Sequence, residues 1–341
     1  MTPGTTVPGR ANPHVTLQLT CLRAPLTAEI TPLPLPPSLL GESPLWHPDE
    51  QVLYWVDIPG LQLNRWHPLT GRHDAWHFVT EPSCCVPLLG GGLLLAMRDG
   101  LWRFDTTSGE RQRIAEPPYD PARQRFNDGK ADAQGRFWIG TIDDRRLPQA
   151  ALYRLSGGAL DEVAGGITVS NGLAFSPDGN TVYWADTKAH AVYAFDVDSH
   201  TGNLSRRRLF QQFAARLPGQ PLAGDVGPER PAGPLATASN GAYGGRPDGA
   251  AVDAEGAYWV AMFEGQRLLR LAPDGALLAD LPLPVRCPTM PCFGGADLKT
   301  LFITTARENR PADELAAQPL AGCVLQLRVE VPGLPAHLAS V

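Results

Sequence analysis

A hydrophobic run of five or six residues recurs six times along this chain of 341 residues. The runs are VLYWVD (52–57), LLLAM (93–97), FWIGT (137–141), VYWAD (182–186), YWVAM (258–262) and LFITT (301–305). Each is rich in aromatic and aliphatic residues. Second short runs follow them, among them GLWRFD (100–105), AVYAFDVD (191–198) and VLQLRV (324–329). Runs of this length and composition, bounded by turn residues, are strands. Successive runs start 41 to 45 residues apart, apart from one interval of 76 between the fourth and fifth. A period in the low forties, with about four strands per unit, is the mark of a propeller. The chain is therefore expected to be all-β, a six-bladed β-propeller. No helical periodicity is long enough to suggest α/β layers.

The long interval puts extra residues near 205–245, rich in Pro, Gly, Arg and Ala, and reads as a surface insertion. Residues 1–14 read as a disordered leader and 15–335 as a single domain. Within 15–40, VTLQLTCL (15–22) has strand character and is expected to close the ring by completing the last blade, because sheet edges need protection. With 43% hydrophobic and 19% charged residues the chain can build a packed core. A net charge of −6 argues against nucleic acid as the main partner. No stretch approaches 18 apolar residues, so no membrane span is expected, and the N-terminus lacks the pattern of a secretion signal. The cysteines stand at 21, 84, 85, 287, 292 and 323 without a CxxC pair. That spacing argues against a disulfide framework and a thiolate zinc site, and fits reduced thiols in a cytoplasmic protein.

Aligning the units on the turn before each aromatic run brings out one position with chemistry. The segments are GESPLWHPDE (41–50), FNDGKADAQG (126–135), SNGLAFSPDG (170–179) and PDGAAVDAEG (247–256). Eight residues before the last residue of each stand Glu42, Asn127, Asn171 and Asp248. The second and sixth units align less regularly and give Ser83 and Pro291. The innermost strands of a propeller line its axis, so equivalent positions in different blades face a common point. Carboxylates and amides converging there require compensation, and a divalent cation is the simplest. The expectation is a central-channel metal site with one divalent ion held by Glu42, Asn171 and Asp248. An all-oxygen set suits calcium first, and also magnesium or manganese; zinc and ferrous iron bind carboxylate oxygen too. Asn or Asp before Gly is also a common turn, so Asn171-Gly172, Asp128-Gly129 and Asp248-Gly249 each have a purely structural reading. Glu42, followed by Ser43-Pro44, has none. There is no GxSxG nucleophile elbow and no HExxH helix.

Four segments, GESPLW (41–46), RFNDGKAD (125–132), SNGLAFSPDG (170–179) and RPDGAAVDAEG (246–256), resemble the family of gluconolactonase and regucalcin, also called senescence marker protein 30. The resemblance covers roughly residues 38–330. It implies a metal-dependent hydrolase that opens a sugar aldonolactone to the aldonic acid, in pentose or hexose catabolism. It also implies metal ligation by Glu42, Asn171 and Asp248, the same trio the repeat singles out, and sugar contacts from Arg125 and Asn127. Asp248 is then both ligand and candidate proton acceptor, and the partner is a small-molecule sugar lactone. Regucalcin and some other relatives touch substrate with a Glu beyond the third blade's aromatic strand. Here that region reads TIDDRRLPQ (141–149), with Asp143, Asp144 and Arg145, which bears on the substrate rather than the reaction. The alternatives are a promiscuous metal-dependent esterase or phosphotriesterase, and a calcium-binding propeller without turnover.

Overall fold

A computed structural model describes residues 1, 29–225 and 241–341. The expected leader beyond Met1 and the VTLQLTCL segment lie outside the described residues. Six four-stranded antiparallel sheets follow one another along the chain. Their first strands are Gly41–His47, Pro82–Pro87, Gln124–Ala131, Ser170–Phe175, Arg246–Val252 and Pro288–Gly294. Each first strand contacts those of the sheets before and after it, and the sixth returns to the first. The fold is a six-bladed β-propeller with these strands around the axis. The sixth sheet takes its outermost strand from the other end of the chain, with Thr31 opposite Gln326 and Pro32 opposite Leu325. That pairing joins the two ends of the described chain.

The six aromatic runs lie in the second strands: Val52–Asp57, Leu93–Met97, Phe137–Asp143, Thr181–Asp186, Tyr258–Phe263 and Thr300–Thr305. Val52–Asp57, Leu93–Met97 and Phe137–Asp143 are buried at every residue. Blades stack face to face, so both faces of an inner strand are covered and the strand reads as a continuous apolar run. Phe137 and Ile139 of blade three pack with Val86 and Leu94 of blade two. Trp259 of blade five meets Phe293 of blade six edge-on, with ring centroids 6.0 Å apart. The fourth strands, such as His73–His77 and Leu204–Gln212, are mostly exposed or half-buried.

Turns between first and second strands are built by aspartates. In DAQG, Asp132 accepts from the amides of Gln134 and Arg136 and from Trp138 Nε1. In DAEG, Asp253 accepts from Glu255, Ala257 and Trp259 Nε1 in the same way. One carboxylate thus closes each turn and fixes the indole below it. These turns lie on the face opposite the starts of the inner strands. The C-terminal segment crosses that opposite face. Pro332 accepts from the Ala254 amide, Ala339 donates to Pro87 and Ser340 donates to Gly135.

Leu204–Gln212, part of the stretch expected as an insertion, is the outermost strand of blade four, paired with Ala191–Val197. The connection to blade five starts after it. His47 stands at a strand end, 5% exposed, its Nδ1 facing the Glu50 amide and its ring beside Tyr54. The tyrosine of the next strand covers it. The described cysteines are all free thiols. Among the described residues no helix is long and apolar enough to cross a membrane.

Candidate active site at the channel mouth

All six inner strands carry one residue more than their neighbours. The register shifts fall between Glu42 and Leu45, Pro82 and Cys84, Phe126 and Gly129, Asn171 and Ala174, Pro247 and Ala250, and Pro288 and Met290. A bulge re-aims the side chains around it, and here six bulges lie at one level of the channel. Glu42 and Asn171 flank theirs, and Asn127 and Asp248 lie within theirs. The Asn-Gly and Asp-Gly pairs thus belong to bulged strands and not to connecting turns. Gly172 has φ 58°, and a Cβ there would press on the Tyr258 hydroxyl. In the sixth blade the extra residue is Thr289. Pro291, the residue reached by counting from the turn, sits in the regular ladder opposite Ile303.

The side chains meet across blades. Asn127 Nδ2 donates to Asn171 Oδ1 at 2.6 Å and to the Ser170 carbonyl at 2.7 Å. Asn171 Nδ2 donates to Thr187 Oγ1 at 2.9 Å. Arg125 Nη1 donates to Asn127 Oδ1 at 2.6 Å and to the Phe126 carbonyl at 2.9 Å. Asn127, Asp128, Asn171 and Asp248 are all buried, while Glu42 and Arg125 keep partial exposure. Asp128 Oδ2 accepts from the Leu173 amide at 2.8 Å, while its buried Oδ1 has no partner.

The carboxylates are too close for comfort. Burial, then the charges of Asp248 and Asp128, hold the Glu42 carboxyl well above the usual range, against the opposing pull of the Ser43 amide and Arg125. Burial pushes Asp248 up to about 8, with Asp128 adding to the rise and Arg246 and Arg125 opposing it. Asp128 is raised by burial, with Lys130 opposing. Arg246, two residues before Asp248, is committed to Glu264 at 2.6 Å. The Arg125 guanidinium is itself held below its usual range by burial and by the charges of Arg146 and Arg98. Among the described residues no three His, Cys, Asp or Glu side chains form a metal-holding cluster, so a cation here would need an amide as its third donor. Glu42, Asp248 and the Asn171 amide are the residues that would supply such donors. Oxygen donors, surplus negative charge and an unpartnered carboxylate oxygen nearby fit a hard divalent cation.

Asp128, Thr187 and Arg246 belong to this mouth and were not singled out by the sequence. Asp128 is one position beyond the repeat position in RFNDGKAD and shares its bulge. Asp186 and Glu264, both at ends of second strands, have structural work. Asp186 accepts from the amides of Thr168, Val169, Lys188 and Ala189. Glu264 faces Arg246 and Arg310.

Fold and site together define a propeller whose axial mouth gathers buried acids, amides and an arginine. The chain belongs to the SMP-30/gluconolactonase/LRE-like family, whose model matches residues 40–307. It is 42% identical over 299 residues to a 6-deoxy-6-sulfogluconolactonase of Pseudomonas putida, spanning 87% of this chain and 94% of that one. It is 34% identical to regucalcin of Danio rerio over 304 residues, 87% of this chain and 94% of that one. Among solved structures, a calcium-binding protein, regucalcin, from Agrobacterium tumefaciens superposes with a TM-score of 0.79 at 28% identity, covering 91% of this chain and 97% of that one.

Proposed function

We propose that this chain hydrolyses the ring ester of a pentose or hexose aldonolactone, with one divalent cation held by Glu42, Asn171 and Asp248. The observation that carries the reading is the crowding of buried carboxylates at the mouth: the charges of Asp248 and Asp128 add to burial in raising Glu42, and the charge of Asp128 adds to burial in raising Asp248. Arg246 is spent on Glu264, so a cation from solution is the simplest compensation. The Pseudomonas putida relative, named for a lactone, supports the substrate class. The Agrobacterium protein, described as calcium-binding, supports calcium as the ion. When bound, such a cation polarises an ester carbonyl and steadies the negative charge that develops on its oxygen.

The chain's own groups do the rest. Asp248 takes a proton from the attacking water as the new C–O bond forms. It returns that proton to the ring oxygen as the ester bond breaks, leaving the open hydroxy acid. Arg125 spends Nη1 on the protein, which leaves Nε and Nη2 for sugar hydroxyls. Asn127 fixes Asn171 and offers the remaining lone pair of Oδ1 to the same sugar.

The test is pH-drift hydrolysis of the 1,4- and 1,5-lactones of arabinonic, xylonic, galactonic and gluconic acids, beside an aryl ester and a phosphotriester. The expected kcat/KM for the best lactone exceeds that for the aryl ester by at least about 100-fold. A faster aryl ester or phosphotriester would move the protein to the esterase class.

A further inference from the structure

One side of the channel mouth gathers several arginines, and two of them make no ion pair among the described residues. Arg98 on blade two is neutralised twice, by Glu81 at 2.8 Å and Asp144 at 3.0 Å. Its Nη1 also reaches the Gln124 carbonyl at 3.2 Å, beside Arg125. Those two carboxylates are thereby committed. Asp143 is buried and accepts from the amides of Arg145 and Leu147. Arg125 and Arg146 are left with no carboxylate within salt-bridge distance among the described residues. Arg125 bonds only a carbonyl and an amide oxygen, and Arg146 only the Asp143 carbonyl, at 3.2 Å.

The position of Arg146 is built. Gln124 pairs with Asp143 and Arg125 with Ile142 across the blade-three ladder, so the turn after Asp143 begins beside Arg125. Arg146 has φ 60°, a left-handed conformation that a long side chain rarely adopts. Its amide donates to the Asp143 carbonyl at 2.8 Å, and the Asp143 carboxylate anchors the residues on either side.

We propose that Arg125 and Arg146 form an anion subsite at the channel mouth. The lactone this chain takes then carries a carboxylate, phosphate or sulfonate at the end of its carbon chain remote from the ring ester. The statement about the lactone rests on the lactonase reading above. An anionic oxygen group between the two guanidiniums turns their repulsion into paired, charge-assisted hydrogen bonds. A neutral sugar would leave both charges facing each other.

The test is calorimetric binding of gluconate, glucarate, 6-phosphogluconate and 6-deoxy-6-sulfogluconate to the full chain and to Arg146→Gln. These ligands share the sugar acid and differ in the remote group, so the arms separate carboxylate from phosphate from sulfonate. At least one charged ligand should bind about tenfold more tightly than gluconate, and Arg146→Gln should remove that advantage while leaving gluconate affinity unchanged. Equal affinities for all four, or an equal loss for gluconate in the variant, would overturn the subsite. Turnover of the lactones of the same four acids on the same samples reads the lactonase assignment separately. Hydrolysis without a charge preference removes the subsite alone. A charge preference without hydrolysis keeps the subsite and removes the lactone.

Discussion

Asn127 Nδ2 and Asn171 Oδ1 lie 2.6 Å apart and tie blade three to blade four at the mouth of the channel. The contact orients more than it binds. Thr187 Oγ1 takes the other end of the Asn171 amide, and Arg125 holds the Asn127 oxygen. The Asn171 oxygen is thus fixed, with one lone pair spent and one free. Removing a partner that orients a ligand costs about 10- to 100-fold in metal affinity. Asn127→Ala should therefore weaken calcium binding by that factor, read by calorimetry. Unchanged affinity would mean that Asn171 needs no support.

Asp248 has opposite effects on stability and on turnover. In the cation-free protein it is a buried carboxylate beside Asp128 and Glu42. Asp248→Asn replaces a carboxyl that the folded cation-free chain must protonate near pH 7. The metal-stripped variant should be more stable by about 1 kcal/mol in thermal or denaturant unfolding. The same change should lower lactone turnover by about 1,000-fold. A variant that kept full turnover would remove Asp248 from the chemistry.

The sequence showed the architecture clearly and half of the site. The second strands were legible because both faces are buried, as in Val52–Asp57. The fourth strands were not, because Leu204–Gln212, with three consecutive arginines, is exposed along most of its length and resembles a loop. Glu42, Asn127, Asn171 and Asp248 were legible because their distance from the following turn is the same in four blades. Blade six broke the count because its bulge, at Thr289, lies two positions before Pro291. Asp128 escaped because a count samples one residue per blade while a bulge turns two toward the axis. Arg146 lies on a connecting turn outside the repeat, and only the fold brings it to Arg125.

The pH response of the cation-free protein follows from the same carboxylates. Asp248 titrates near 8 when folded, against an ordinary value of 3.8. Between those values the folded form binds more protons than the unfolded one, so stability falls as pH rises, and the loss is complete above about 8. Metal-stripped protein should therefore melt at a lower temperature at pH 9 than at pH 6. Saturating calcium should reduce that difference, because the cation replaces the protons. A metal-stripped protein with the higher melting temperature at pH 9 would contradict the raised proton affinity.

Gly172 lets blades four and five approach. Its carbonyl accepts from the Tyr258 hydroxyl at 2.8 Å, and a Cβ at φ 58° would press on that hydroxyl. Gly172→Ala should cost about 1–3 kcal/mol in denaturant unfolding. Adding Tyr258→Phe should recover part of the loss, a coupling that a double-mutant cycle would register. Additive effects would place the strain in the backbone alone.

Hydrolysis is expected to depend on one cation held by Glu42, Asn171 and Asp248. The most direct measurement is a calcium titration of metal-stripped protein, following bound calcium and lactone turnover in the same samples. Turnover should rise from baseline in step with binding and level off at one calcium per chain, and Glu42→Gln should abolish both. Full turnover in the stripped protein, or calcium binding at one per chain in Glu42→Gln, would contradict the account.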